Sequence, residues 1–204
     1  MWEIQKRFIA LDSEQEIHKL PLSEETKKLI QMEEIEMVLL DDSNRDGFYQ
    51  LVSDYLPDSD LEKVKKRAGE YPKAYPVLMC GGTVIGVAFG WPRNLDAAKE
   101  EGFTLDGIAV EEAYQKRRYG ARLLSAFERA AAEYGYNYIS VGSAGGYVEK
   151  FYMENGYRPI CFKSYSDEGI RVEKIFENQK DYEQYKRPTE EGFVVMGKEL
   201  GQNF

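Results

Sequence analysis

The sequence predicts a mixed α/β fold built around a single sheet. Short apolar runs rich in β-branched residues alternate with longer segments in which apolar residues recur at helical spacing. Their order is a strand, two helices, a β-hairpin, two strand–helix units and terminal strands, and no internal repeat interrupts it. Elements in such an order typically pack as helices against the faces of one sheet.

The length of 204 residues allows one large domain, or one domain with an extension. Residues 1–34 are expected to form an N-terminal extension that packs on the main domain or on a partner chain. Within this extension, Ser23 precedes acidic residues, as is typical of a helix start. Residues 35–204 are expected to form the main domain.

The main domain begins with a strand and two helices. The apolar run IEMVLL at 35–40 predicts the strand. A first helix is predicted up to Pro57, and a second, charged helix over about 60–70. The apolar residues at helical spacing in the first helix are Phe48, Leu51, Val52 and Tyr55.

A β-hairpin follows, with strands at 77–80 and 83–89 joined by Gly81 and Gly82. The next unit is a strand at 103–110 and a helix over about 118–134. Gly135 is placed to end that helix. The apolar stripe that packs the helix on the sheet is Leu123, Leu124, Phe127, Ala130, Ala131 and Tyr134.

The last third of the chain mixes short strands and short helices. The elements predicted there are strands at 137–141, 157–162 and 193–196, and a helix at 147–154. Residues 170–176 remain open between strand and helix, because their pattern fits neither better. Residues 178–187 are expected to be helical.

Composition and charge exclude several classes of function. The formal net charge of -9 argues against non-specific binding to nucleic acid or to a membrane surface, and it favours a neutral or cationic substrate. A single histidine, His18, nearly excludes a histidine-based triad or a histidine-rich metal site. Cys80 and Cys161 lie in apolar runs and are expected to be reduced core residues of a cytoplasmic protein.

The segment LDGIAVEEAYQKRRYGARLL at 105–124 predicts an anion site. A strand runs through a polar loop into a helix, whose first N–H groups lack intrahelical partners and whose dipole favours negative charge. Gly120 permits close approach of the backbone. The cations around it are Lys116, Arg117, Arg118 and Arg122. A solvated basic helix start is the alternative, but cations are misplaced there unless an anion binds, so we favour a phosphate-bearing ligand.

The order of elements and two motifs resemble the GNAT superfamily of acyl-CoA-dependent N-acyltransferases over about residues 35–200. The loop pattern of this family is Gln or Arg, two residues, Gly, one residue, then Gly or Ala. Gln115 and Gly120 match the pattern and Ala121 follows, whereas Arg118 stands where the family usually has its first glycine.

The second motif is FYMENGY at 151–157, which is similar to the late family signature of Phe or Leu, Tyr, three residues, Gly, and Phe or Tyr. Gly145 occupies the position at which the family often has an asparagine. By position, the resemblance implies that Tyr152 is the acid that protonates the leaving thiolate. A core aromatic residue beside Phe151 is the alternative interpretation of Tyr152.

The resemblance also implies a mixed, mostly antiparallel central sheet flanked by helices, with acetyl-CoA as the co-substrate and no metal. The backbone of Ile108, Ala109 and Val110 would pair with the pantetheine arm, as an added strand would. The residues implied around the pyrophosphate are Gln115, Lys116, Arg117, Arg118, Tyr119, Gly120 and Ala121.

The general base cannot be assigned from the sequence. A carboxylate acting through water is expected, and Asp96, Glu101, Asp106 and Glu111 lie near the strand that faces the coenzyme. A backbone N–H, that of Ala109 or Val110, is expected to stabilise the oxyanion.

The hypothesis that follows is an N-acetyltransferase acting on the primary amine of a small or cationic acceptor. The alternative is a catalytically idle module of the same fold that binds acyl-CoA as a sensor or serves as an interaction domain. Arg118 and Gly145 favour the alternative, whereas Tyr152 and the frame from Gln115 to Gly120 favour the enzyme. An RNA-binding module is weakly supported, since the basic cluster is short. The extension could also make a homodimer contact.

Overall fold

Eight strands form one sheet in the computed structural model, which describes residues 35–96, 98–99, 101–143, 145, 147–186 and 191–201. The predicted extension over residues 1–34 lies outside the described residues. The strands are β1 (Ile35–Leu39), β2 (Pro76–Cys80), β3 (Thr83–Pro92), β4 (Phe103–Val110), β5 (Tyr138–Ser143), β6 (Arg158–Ser166), β7 (Gly169–Ile175) and β8 (Gly192–Glu199).

Helices connect the strands in the described part of the chain. They are α1 (Arg45–Tyr55), α2 (Leu61–Glu70), α3 (Tyr119–Glu133), α4 (Tyr147–Glu154) and α5 (Gln179–Gln184). Short 3-10 turns occur at Pro72–Ala74 and Glu112–Tyr114.

The sheet has the order β1-β2-β3-β4-β5-β8-β6-β7. All neighbouring strands run antiparallel except β4 and β5, which are parallel. A parallel pair needs a crossover connection, and α3 provides it between β4 and β5. The prediction of a mixed, mostly antiparallel sheet flanked by helices is confirmed.

Helix α3 packs on the sheet through the predicted stripe, of which all members but Tyr134 are buried. Tyr134 is half-buried, and its ring stacks on that of Phe103 in β4 at 6.0 Å. Burying one large apolar side chain contributes roughly 1.5–3 kcal/mol, so this stripe fixes the helix firmly. Gly135 follows with φ 89°, the left-handed conformation that commonly ends a helix.

Helices α1 and α2 pack against the sheet near β3. Phe48 of α1 is fully buried, and its ring lies 6.0 Å from that of Phe89. Asp60 caps α2 by accepting a hydrogen bond from the backbone N–H of Lys63 at 3.1 Å. The helix boundaries agree with the prediction that the proline-containing segment after α1 separates two helices.

The predicted hairpin is present as β2 and β3. Gly81 and Gly82 have φ of 54° and 81°, which a two-residue hairpin turn requires. Strand β3 continues past the predicted end at 89 as far as Pro92, because Trp91 pairs with Thr104 of β4.

Residues 170–176, which the sequence left open, fall in β7 up to Ile175. This strand pairs with β6, and nearly all of its residues are exposed. A strand exposed on both faces lacks the alternation that identifies a half-buried strand, which explains why its pattern was ambiguous.

Cys80 and Cys161 are buried, as predicted, and both are free thiols in the structure. Burial raises the pKa of the Cys161 thiol. Within the described residues, no helix is long and apolar enough to cross a membrane.

Candidate active site

Strands β4 and β5 diverge after three paired residues. Their parallel pairing joins Phe103–Leu105 to Ile139–Val141. Beyond this point β4 pairs only with β3, and β5 only with β8, among the described strands. The sheet therefore contains an opening between Asp106–Val110 and Gly142–Ser143. Its β4 side presents unpaired backbone groups, with which an extended ligand can pair.

A β-bulge lies where the opening begins. On β3, Phe89 pairs with Gly107, and the next residue, Gly90, pairs with Leu105. Asp106 therefore has no partner on β3, and it has none on β5, whose pairing ends at Leu105. A bulge bends its strand and redirects the extra side chain, so the bend in β4 coincides with its divergence from β5.

The loop after β4 is closed by hydrogen bonds. The N–H of Glu111 donates to the carbonyl of Ile85 at 2.9 Å, and the 3-10 turn follows. The side-chain amide of Gln115 donates to the carbonyl of Val110 at 2.9 Å. Gln115, which the sequence placed around the pyrophosphate, thus ties the loop to the end of β4.

Two non-glycine residues of this loop have left-handed backbone conformations. Lys116 has φ 62° and Arg118, the N-cap residue of α3, has φ 64°. This conformation costs an L-residue about 1–2 kcal/mol. Glycine adopts it without that cost, which gives a physical reason for glycine at the position that Arg118 occupies.

The first turn of α3 directs free N–H groups toward the loop. The first bond of the helix runs from the N–H of Arg122 to the carbonyl of Arg118 at 3.1 Å, so the N–H groups of residues 118–121 precede it. No side chain of the described part of the chain caps the turn. A Cβ atom at Gly120 would lie 3.5 Å from the ring of Phe151, so α4 packs beside this turn. The turn can therefore hold an anion through its N–H groups and its dipole.

Four cations surround this turn. Lys116, Arg117, Arg118 and Arg122 form no ion pair with any described residue. The guanidinium groups of Arg117 and Arg122 lie over tyrosine rings, at 5.6 Å and 5.7 Å from the ring centroids. Positive charge that none of the described carboxylates neutralises is what the loop requires to bind a phosphate.

A groove of about 470 Å³ extends this positive surface along α3 toward β1. It is lined by Met37, Arg118, Ala121, Arg122, Ser125 and Arg129. The three arginines are spaced four and seven residues apart, which places them on one side of the helix. The groove is therefore continuous with the cationic helix start.

Tyr152, the predicted acid, lies on α4 and is 3% exposed. Its ring packs against those of Phe151 and Tyr157, at centroid distances of 5.2 Å and 5.5 Å. Burial raises the pKa of the Tyr152 phenol, so the hydroxyl keeps its proton at neutral pH. Such a phenol can donate a proton, and its packing also fits a core aromatic residue.

A buried ion pair between α3 and β8 was not predicted. Glu128 of α3 is 4% exposed, and both of its carboxylate oxygens lie 2.8 Å from Nζ of Lys198. The hydroxyl of Tyr157 is buried beside this pair, and burial followed by the charge of Glu128 raises its pKa. The signal in the sequence was the position of Glu128, four residues after Leu124 and within the apolar stripe.

The four acids considered as bases have different surroundings. Asp96 is buried and accepts hydrogen bonds from a tyrosine hydroxyl and a backbone N–H. Glu101 is exposed, and Glu111 follows the end of β4. Asp106 is half-buried at the bulge and accepts a hydrogen bond from Nη2 of Arg93 at 2.7 Å. Among the described residues, no cluster of His, Cys, Asp or Glu is arranged to hold a metal ion.

Residues 38–157 match the model of the Acetyltransferase (GNAT) family. This match covers more than half of the chain, including β4, the loop, α3 and α4. A search among curated proteins finds no significant match to the sequence.

Solved structures share the fold at low sequence identity. Ard1 from Thermoplasma volcanium is 13% identical with a TM-score of 0.61, over 82% of this chain and 99% of that protein. Naa50 from Arabidopsis thaliana, in complex with the bisubstrate analogue CoA-Ac-MVNAL, is 13% identical with a TM-score of 0.59, over 81% and 99%. A mosquito arylalkylamine N-acetyltransferase, like 5b, is 14% identical with a TM-score of 0.57, over 82% and 100%.

Proposed function

Because the chain belongs to the GNAT family of acetyltransferases and is therefore an acyltransferase enzyme, we propose that it transfers the acetyl group of acetyl-CoA to a primary amine. In this proposal residues 35–204 carry the reaction and residues 1–34 are an extension. The observation that supports it best is the opening between β4 and β5, which leads directly to the cationic start of α3.

The coenzyme fits the two halves of this arrangement. We assign the pantetheine arm to the backbone of Ile108, Ala109 and Val110, because these residues form the unpaired side of β4. The carbonyl of Val110 already accepts one hydrogen bond from Gln115, so its second lone pair serves the ligand. The residues assigned to the pyrophosphate are Gln115, Lys116, Arg117, Arg118, Tyr119, Gly120 and Ala121.

Direct attack by an amine on the thioester needs a proton donor for the leaving thiolate. We assign this role to Tyr152, whose phenol carries its proton at neutral pH and whose helix packs beside the first turn of α3. The backbone N–H of Ala109 or Val110 is our candidate for the oxyanion donor.

The acceptor that we propose is small or cationic. The net charge of -9 supports a cation. The Arabidopsis protein binds the bisubstrate analogue CoA-Ac-MVNAL, and the mosquito protein is named for arylalkylamines. Tyr55 of α1 accepts a hydrogen bond from the N–H of Glu112 at 3.1 Å, so the end of α1 adjoins the end of β4. A cavity of about 780 Å³ between α1 and α2 has no lining residue from β4 or β5, so we do not assign the acceptor to it.

The test is a calorimetric titration with acetyl-CoA, followed by a thiol-release assay with a panel of a polyamine, an amino sugar and a peptide amine. We expect acetyl-CoA to bind and to raise the free energy of unfolding by about 2.7 kcal/mol at a hundredfold excess over Kd. Release of coenzyme A that depends on one of the amines supports the transferase. Absence of binding at millimolar acetyl-CoA contradicts it.

One of the two observations that favoured an idle acyl-CoA-binding module, the arginine in place of glycine, is weakened by the structure. Arg118 has φ 64°, so the replacement of glycine does not prevent the left-handed backbone at this position. The same titration and assay separate the two functions, because an idle module binds acetyl-CoA and releases no coenzyme A with any amine of the panel.

A further inference from the structure

We propose that Asp106 is the general base that removes a proton from the acceptor amine. This inference rests on the proposed function and adds a residue to the site. Asp106 is the residue that β4 inserts between its two runs of regular pairing with β3. It is also the first residue of β4 beyond the last pair with β5, so it stands at the beginning of the opening.

The position suits a base that acts through one water molecule. A strand rises about 3.3 Å per residue, so Asp106 precedes Ile108 by roughly 7 Å. Ile108 begins the stretch of backbone that we assign to the pantetheine arm, which carries the thioester at its end. A bulge directs the extra side chain away from the regular alternation, which is a common device beside active sites.

The surroundings of Asp106 adjust its affinity for a proton. Its side chain is 21% exposed and is paired with Arg93, the residue that follows β3. Lys63 of α2 adds a second positive charge, and the phenol of Tyr75 lies near enough to be affected by the Asp106 charge. Burial raises the pKa of Asp106 and outweighs the opposing effects of Arg93 and Lys63. A carboxylate with a raised pKa is a better base near neutral pH than an ordinary aspartate.

A purely structural role explains these features less well. Arg93 is 41% exposed, and an ion pair with such a partner contributes about 0–1 kcal/mol. This small stabilisation from the ion pair does not explain why a carboxylate is half-buried on a bulge. Asp96 is occupied by its own hydrogen bonds, and Glu101 is exposed.

The proton balance of the step is complete. The carboxylate of Asp106 accepts one proton from the acceptor ammonium through water, and the free amine attacks the thioester carbonyl carbon. The C–N bond forms, the C–S bond breaks, and the thiolate takes a proton from Tyr152. The second amine proton restores the Tyr152 phenol, and Asp106 releases its proton to solvent. The products are the N-acetylated amine, coenzyme A and one proton.

The experiment compares Asp106→Asn with the wild type and with a matched control, Asp167→Asn, at the exposed tip of the β6–β7 hairpin. The readouts are acetyl-CoA affinity by calorimetry, and the pH dependence of turnover with an amine from the panel that the wild type acetylates. The same assays are run with hydroxylamine, a weakly basic amine that is already uncharged at the assay pH, and the rate of its direct reaction with acetyl-CoA without enzyme is subtracted.

We expect Asp106→Asn to bind acetyl-CoA within about twofold of the wild type and to lose roughly 10²–10⁴-fold in turnover with the basic amine. The residual rate should rise tenfold per pH unit, because only amine deprotonated in solution reacts. Turnover with hydroxylamine should stay close to that of the wild type, which a structural defect would not allow.

Unchanged turnover with the basic amine would overturn the assignment of Asp106, and so would equal losses with both amines. Acetyl-CoA binding by a wild type that acetylates no amine would overturn the proposed function together with this inference. The Asp167→Asn control is expected to match the wild type in every assay.

Discussion

The replacement Arg118→Gly separates the backbone role of this position from its charge. Arg118 holds a left-handed conformation at φ 64°, which costs about 1–2 kcal/mol and which glycine avoids. Arg118 is also a cation at the N-terminus of α3, where the dipole disfavours it by about 0.3–1 kcal/mol. The greater freedom of glycine in the unfolded chain opposes these gains by about 0.5–1 kcal/mol. The net expectation is a ligand-free protein more stable by about 1 kcal/mol.

The same replacement removes a guanidinium that no described carboxylate neutralises. A hydrogen bond to a charged group contributes about 1.5–3 kcal/mol, so acetyl-CoA affinity should fall by at least about tenfold. At saturating ligand this loss of about 1.4 kcal/mol exceeds the gain of the free protein.

The assay is thermal unfolding with increasing acetyl-CoA. For a chain of this length 1 kcal/mol corresponds to about 2–4 °C, so the variant should melt higher than the wild type without ligand. Its Tm should be the lower of the two at saturation, and the two curves should cross. The control Arg118→Lys keeps both the charge and the cost of the backbone conformation, so its curve should follow the wild type.

Two results would refute this reasoning. A lower Tm of ligand-free Arg118→Gly would show that the side chain stabilises the loop by contacts that outweigh the backbone cost. Parallel curves that never cross would show that the guanidinium takes no part in binding the coenzyme.

Three further predictions concern the elements around the site. Tyr152→Phe should keep acetyl-CoA affinity and lower turnover about 100-fold, because the proton donor is lost. Burial raises the pKa of Tyr152, so ionisation of this phenol should not lower the activity of the wild type below about pH 10. A pH–rate profile of the wild type tests this expectation. Lys198→Met leaves the Glu128 charge buried and should lower the free energy of unfolding by about 3 kcal/mol, measured by chemical denaturation. Gly107→Ala places a Cβ atom 2.4 Å from the ring of Phe89, so it should cost about 1–3 kcal/mol and weaken coenzyme binding by displacing β4.

Matched controls exist for all three variants. Tyr147→Phe alters an 83% exposed tyrosine on the same helix as Tyr152 and should leave turnover unchanged. Lys99→Met breaks a more exposed ion pair and should cost less than about 1 kcal/mol. Gly69→Ala adds a methyl group with no atom within 4 Å and should stabilise α2. If a variant and its control behave alike, the corresponding explanation is wrong.

The sequence predicted those elements that local patterns determine. The α3 stripe from Leu123 to Ala131 identifies both the helix and its buried face, since apolar residues recur at one spacing. Gly81, Gly82 and Gly135 mark a turn and a helix end, where the observed positive φ values require glycine. The cationic turn could likewise be predicted, because its charges are adjacent in the chain.

Such local patterns could not predict features that depend on pairing between distant segments. The bulge at Asp106 exists only in the register between β3 and β4; Gly90 and Gly107 lie beside it, but glycine within a strand does not by itself give the register. The divergence of β4 from β5 similarly depends on where the pairing ends at Leu105. The partner of Glu128 is seventy residues away at Lys198, so the sequence could indicate an unusual acid in the stripe but not its ion pair.

The bulge also has a consequence for how this strand can change in evolution. Leu105 and Gly107 pair with two adjacent residues of β3. Without Asp106, the pairing on either side of the bulge would therefore form one continuous ladder in a single register. Most single-residue deletions in a strand reverse the faces of every side chain beyond them. A deletion at Asp106 would instead restore an uninterrupted strand with each side chain on its present face. Deletion of the single codon for Asp106 would therefore remove the proposed base and leave the rest of the strand in place. A lineage could lose the chemistry in this way while keeping the fold.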